Sequence, residues 1–249
     1  MSTYVLVHGA WHGAWCWKKP VPLLETRGHR VVTPDLPALG NDQTPISEVT
    51  FQSYVDRVCR CIDAEDEPVI LVGHSMSGMV VSQVAEQRPD KIATLVYLSS
   101  FLPRNGESLI HLAGKMEGSL VHPNMIFSDD GSYVSLDDEV ARQAFYGDCS
   151  PGDAKWAVAL LRPQATAPLA TPVKLTAGNY GRIKRVYITC LQDRAIPPAS
   201  QKKMYLASPC ETVFSLEAGH SPFLSVPEKL AQLLLSLCDG FYKQERIIK

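Results

Sequence analysis

The sequence predicts an α/β fold: a mostly parallel, doubly wound sheet interrupted once by a largely helical insertion. Three observations carry this. The runs Tyr4–Val7, Val69–Val72 and Ile92–Leu98 are apolar without alternation, as strands buried on both faces of a parallel sheet are. Helical patterns of crossover length separate them. The strand–helix rhythm stops near Pro103 and resumes at Arg185.

Taken in order, Tyr4–Val7 ends in His8-Gly9 and is followed by a loop of small residues and tryptophan, Ala10 to Trp15. Trp17, Leu23 and Leu24 form a short helical stripe, and Gly28 stands where a glycine closes a helix. Arg30–Thr33 is a second strand, stopped by Pro34-Asp35, and residues 36–48 are loop. Phe51, Tyr54, Val55, Val58, Cys59 and Ile62 fall three and four apart, the spacing of a helix face. Val69–Val72 is the third strand. A helix follows almost at once and closes at Arg88-Pro89, before the fourth strand, Ile92–Leu98. In the insertion, Asp137-Asp138-Glu139 opens a helix that Gly147 closes. Ser150-Pro151-Gly152-Asp153 opens another, with an N-cap, an N1 proline and an acidic N3. Arg185–Cys190 and Thr212–Leu216 then read as strands around a helix over Ala199–Ala207. Ser225-Val226-Pro227-Glu228 reads as a capping box for the last helix. The expected organisation is a core of residues 1–102 and 183–249 with a lid over 103–182.

Length and composition narrow the function classes. At 249 residues and 45% hydrophobic, one large core is expected. A formal charge of −2 without basic runs gives no electrostatic case for nucleic acid. No apolar stretch reaches membrane-spanning length, and the first strand leaves no room for a leader, so neither membrane nor export is expected. Seven dispersed cysteines without a CxxC pair suit reduced thiols and a cytoplasmic location.

The chemistry centres on Gly73-His74-Ser75-Met76-Ser77-Gly78. A serine at the apex of a turn too short for anything but a sharp strand-to-helix reversal has its hydroxyl pushed out of the sheet edge, beside free N–H groups. The fifth position of this G-x-S-x-G pattern is Ser77, with glycine one step later. A base and an orienting acid should lie past later strands, in the chain order serine, acid, histidine. His220 alone among the later histidines follows a strand by a short turn, since His111 and His122 fall in the lid. Asp193 follows Arg185–Cys190, whereas Asp148 and Asp153 suit helix termini. Oxyanion donors are expected from the main-chain N–H of Met76 and of Ala10. Gly9, Trp11, His12 and Phe223 are read as substrate-facing, with Trp15, Met76 and Leu224 beside them, a rim for an apolar group. His74 is read as bonded within the turn and His8 as structural. His8 and His12 are four apart, but the glycines around them oppose a helix and no third ligand follows, so neither metal nor cofactor is expected.

Tyr4 to Trp17 resembles the opening of the plant methylesterase and hydroxynitrile lyase branch of the α/β-hydrolase superfamily and its bacterial esterase relatives. The likeness continues through Val69–Met79, Cys149-Ser150-Pro151, Leu161-Arg162-Pro163 and Tyr180–Ile188, and ends at Ala218-Gly219-His220. It implies an α/β-hydrolase fold, a nucleophile at Ser75, an acid at Asp193, a base at His220 and oxyanion donors at Ala10 and Met76. It also implies a small ester as the binding partner, and a homodimer as found among the plant relatives. The lyases carry threonine where Gly9 stands and lysine where Ser221 stands, so the resemblance points to ester hydrolysis. A lyase or a non-catalytic receptor on the same scaffold are the alternatives. Both subgroups carry glycine at the position of Ser77.

Overall fold

A computed structural model describes residues 1–238. In chain order its elements are β1 (Thr3–Val7), α1 (Pro20–Glu25), β2 (Arg30–Val32), α2 (Phe51–Asp63), β3 (Val69–His74), α3 (Ser77–Gln87) and β4 (Ile92–Leu98). The insertion carries α4 (Leu109–Ala113), β5 (Ile126–Phe127), β6 (Tyr133–Ser135), α5 (Asp138–Phe145), α6 (Pro151–Val158), β7 (Gln164–Ala165) and α7 (Ala167–Ala170). The chain then returns through β8 (Arg185–Cys190), α8 (Pro198–Ala207), β9 (Thr212–Leu216), α9 (Pro222–Ser225) and α10 (Pro227–Ser236).

The main sheet runs β2-β1-β3-β4-β8-β9, with every neighbouring pair parallel. All six residues of β3 are buried, as are five of the six in β8, as expected of strands covered on both faces of a parallel sheet. The chain passes from β1 to β2 on one side and returns as β3 on the other. The carboxyl ends of β1 and β3 therefore flank a topological switch point, the crevice where open α/β sheets gather their functional groups. Helix α2 buries the expected face from Phe51 to Ile62, and its Thr50–Ser53 capping box seals the start. Gly28 follows α1 at φ 80°, a conformation that favours glycine.

Two features differ from expectation. The insertion is not only helical: β5, β6 and β7 form a small antiparallel sheet. Strands of two or three residues are too short to display a period, and β5 is exposed on both faces. The end of the chain also breaks differently. Val226 precedes a proline and adopts φ −138°, ψ 51°, outside the helical region, so Ser225 closes the separate short helix α9. The Ser225 side chain bonds back to the Ser221 carbonyl, and α10 begins without a side-chain cap. The caps of α5 and α6 are as read: Asp137 accepts from Glu139 N–H and Ser150 from Asp153 N–H. No helix among the described residues is long and apolar enough to cross a membrane, and all seven cysteines are free thiols.

The insertion grips the loop after β1. Trp11 Nε1–H donates to Val134 O at 2.9 Å, and Trp11 N–H donates to the buried Gln164 side chain. Arg162 N–H donates to Trp11 O at 2.9 Å. Trp11 itself lies at φ 64°, a conformation a non-glycine residue adopts only when its surroundings hold it.

Candidate active site

Ser75 stands at the end of β3 with φ 54°, the strained backbone of a sharp strand-to-helix reversal. Its carbonyl accepts from Gly78 N–H, Phe101 N–H and the Ser100 hydroxyl, and its N–H donates to Leu98 O. Two glycines make the reversal fit. A Cβ on Gly73 would come within 2.8 Å of the Ser77 carbonyl oxygen, and one on Gly78 would overlap the Phe101 carbonyl. The close-packed glycine of the pattern is thus Gly78. Ser77 instead uses its side chain: the buried hydroxyl donates to the His8 carbonyl, tying the first turn of α3 to the end of β1.

Beside it, the Gly9–Ala10 peptide is oriented from both directions. His8 Nδ1–H donates to the Gly9 carbonyl at 2.8 Å, and His8 Nε2 accepts Leu36 N–H at 3.1 Å. In a trans peptide the carbonyl and the following N–H point oppositely, so holding Gly9 O also aims Ala10 N–H. His12 Nδ1–H donates to Ala10 O at 2.7 Å, and His12 Nε2 accepts the Tyr146 hydroxyl from the insertion. Gly9 lies under the serine, where a Cβ would meet Ser75 Cβ at 2.9 Å. Ala10, Ser75 and Met76 line one cavity, and neither the Ala10 nor the Met76 N–H donates to another group among the described residues. That leaves two main-chain donors for a negative oxygen formed at the serine.

Asp193 and His220 meet past β8 and β9. His220 Nδ1 lies 2.8 Å from Asp193 Oδ2, and both side chains are buried. All other contacts to the acid come from donors. Ala195 and Ile196 N–H reach Oδ1 at 2.7 and 2.9 Å, and the Ser99 hydroxyl and Gln201 Nε2 reach Oδ2. Such an acceptor keeps the His220 proton on Nδ1. Its Nε2 is buried without a partner, the state a proton acceptor requires.

His74 packs its ring 4.6 Å from that of His220 and donates Nε2–H to the His220 carbonyl at 2.9 Å, so its bond leaves the turn. Burial holds His74 well below the ordinary imidazole range, His8 at about 4 and His12 at about 3. These three rings are therefore neutral hydrogen-bonding struts that place no cation beside His220. Among the described residues no cluster of three potential ligands could hold a metal ion.

Of the four residues read as substrate-facing, only Trp11 lines the cavity. Gly9 is beneath the serine. His12 has both nitrogens engaged, and Phe223 is fully buried against Trp17 and His74. Asp148 is also not a helix terminus, since its carboxylate accepts Gly219 N–H at 2.6 Å and so tethers the loop that carries His220. The cavity's apolar wall comes largely from residues that sequence reasoning missed, including Phe101, Met116, Met125, Phe145, Leu169 and Ile196. Ser99 and Gln201, which hold the acid, carry no signal in the sequence. His122, set aside as a base, lies at the cavity rim, away from Asp193 in the chain and without a bond to it.

Known proteins share this fold. Residues 4–233 match the model of the alpha/beta hydrolase family. The chain is 34% identical to Methylesterase 9 of Arabidopsis thaliana, over 97% of this chain and 100% of that protein. It is also 34% identical to the carbendazim hydrolyzing esterase of Nocardioides sp. (strain SG-4G), over 95% of this chain and all of that one. Among solved structures, polyneuridine aldehyde esterase superposes with a TM-score of 0.89 at 30% identity, covering 96% of this chain and 100% of that chain. With its parallel sheet, its strand-to-helix serine and these relatives, the chain belongs to the alpha/beta hydrolase family and is a carboxylic ester hydrolase.

Proposed function

We propose that the enzyme hydrolyses small, largely apolar esters through an acyl-enzyme on Ser75. The observation that carries this is the His220–Asp193 contact, which leaves Nε2 without a partner on a ring packed 4.6 Å from that of His74, the residue before Ser75, while Ser75, Ala10 and Met76 line one cavity. His220 takes the Ser75 proton as Oγ attacks the ester carbonyl. Ala10 and Met76 N–H hold the oxyanion, and His220 returns the proton to the departing alcohol. Water then attacks the acyl-enzyme with the same base and frees the carboxylic acid. Asp193 holds the tautomer and stabilises the imidazolium that forms in each half-reaction.

The cavity supports the substrate class. No lysine or arginine lines it, so a neutral, apolar group is the one that enters without stranding a charge. The same feature disfavours a lyase, since nothing there would stabilise a departing cyanide, and Ser221 beside the base is fully buried. Relatives named methylesterases make methanol the first leaving group to test. We read residues 103–182 as the lid that shapes this cavity. Seven free thiols support a reducing compartment such as the cytoplasm.

Ser75→Ala tests the reading. Hydrolysis of p-nitrophenyl acetate and of a methyl-ester panel should fall by roughly 10⁵–10⁶ in kcat with an unchanged melting temperature. Activity within tenfold of wild type would remove Ser75 from the mechanism.

A further inference from the structure

The cavity over Ser75 is small, about 30 Å³. That is room for a group little larger than a water or two, far short of the ~150 Å³ that admits a benzene ring. A second cavity of about 180 Å³ lies between α4 and α8, with Leu102, Leu112 and Met204 among its apolar lining. The two cavities share a wall. Phe101 lines the inner cavity and Leu102 the outer, while on α4 Leu109 and Ala113 line the inner and Leu112 the outer. Met116 lines both.

We propose that Met116 is the end wall of the acyl site, and that the groove behind it receives the distal carbons of medium-chain acyl esters once this side chain turns aside. This rests on the esterase reading above. Methionine suits a movable wall: it is unbranched, has three rotatable bonds and repacks at little cost. Met116 also lies just past the end of α4, only partly buried, so its rotation does not disturb the sheet. The groove's chemistry fits a straight alkyl chain. Leu102, Leu112, Met116, Met204 and Ala207 give it an apolar wall; of its charged groups, Arg104 and Glu107 pair at 2.7 Å, Lys115 bonds to His111, and Lys203 sits on a long stem that can keep its ammonium in water. The acyl carbonyl of such a chain is bonded to Ser75, so the charge formed on hydrolysis arises in the inner cavity and not in this groove.

The test is the ratio of kcat/KM for p-nitrophenyl octanoate to that for the acetate. Each methylene buried in place of water is worth about fourfold. Met116→Ala, which opens the partition, should raise the ratio at least about tenfold. Adding Ala207→Trp, an exposed position on α8 that fills the groove from outside, should bring it back down. Met116→Phe, which thickens the wall, should lower the ratio below that of wild type. The proposal is overturned if the ratio moves less than twofold in Met116→Ala, or if Ala207→Trp leaves the raised ratio in place. Failure of the Ser75 acyl-enzyme reading looks different, because acetate hydrolysis would then survive in Ser75→Ala.

Discussion

Replacing Asp193 with asparagine swaps one acceptor oxygen for an amide donor at a position where every neighbour is itself a donor. Five groups point at this carboxylate: Ala195 and Ile196 N–H on one oxygen, and Ser99, Gln201 and His220 on the other. If the new NH₂ faces the main chain, two N–H groups that cannot turn away lose their acceptor. If it faces His220, the Ser99 hydroxyl can reverse, but the Gln201 amide cannot. Its oxygen already accepts from Thr189 and Cys190, and its nitrogen also donates to Ile196 O. The imidazole then moves its proton to Nε2 to keep a bond at Nδ1, which turns the base that faces the serine into a donor. The same substitution in a serine protease triad costs about 10⁴ in kcat, equivalent to about 5.4 kcal/mol of barrier. Losing the Gln201–Asp193 bond should add about 1 kcal/mol of lost stability, since Gln201 Nε2 keeps Ile196 O and the Ser99 hydroxyl as acceptors. Steady-state kinetics on p-nitrophenyl acetate at neutral pH, with a urea melt alongside, reads both effects. The expected result is a kcat fall of about 10⁴ with little change in KM and a lower melt midpoint. A kcat loss under tenfold with an unchanged midpoint would refute the assignment of Asp193 as the orienting acid.

Two further outcomes follow from the same geometry. Ser77→Gly restores the residue that the resembling subgroups carry but removes the bond to the His8 carbonyl. It should lower kcat several-fold with KM nearly unchanged, and cost about 1 kcal/mol of stability in a denaturant melt; an unaltered kcat would show that this bond does not set the oxyanion loop. Acid should unfold the protein early. His8 and His12 are depressed to about 4 and about 3 by burial, below the 6.5 of an unfolded histidine. As pH falls below 6.5 the unfolded chain binds protons that the folded chain refuses. Each ring therefore removes about 1.4 kcal/mol of stability per pH unit down to its folded value. The urea midpoint should drop clearly between pH 7 and pH 5, and His12→Asn should flatten that slope; a midpoint independent of pH over this range would contradict neutral buried rings.

The sheet was legible because burial on both faces leaves a strand no reason to carry polar residues, as in Val69–Val72 and Ile92–Leu98. The proposed acid and base were legible for a different reason: Asp193 falls just past β8 and His220 just past the edge strand β9, where the fold collects its functional groups. What could not be read depends on contacts between distant segments. Gln201 reaches Asp193 from the next helix. Met116 and Phe145 become cavity wall only when the insertion folds back over the switch point. Tyr146 meets His12 across 134 residues of chain. The aromatic and histidine residues near the serine were correctly placed in the chain but not in depth, because adjacency in sequence does not distinguish a residue over the nucleophile from one beneath it. Gly9 and Phe223 are both beneath or behind. Ser77 reads as a damaged elbow in the sequence, whereas in the fold its hydroxyl has a partner and Gly78 makes the close approach.

The central claim is that Ser75 is the nucleophile activated by His220, and intact-mass spectrometry after exposure to a fluorophosphonate tests it most directly. One phosphonyl adduct per chain is expected, mapped to the peptide containing Ser75, lost in Ser75→Ala and strongly slowed in His220→Ala. An adduct on another residue, or labelling of Ser75→Ala at the wild-type rate, would contradict it.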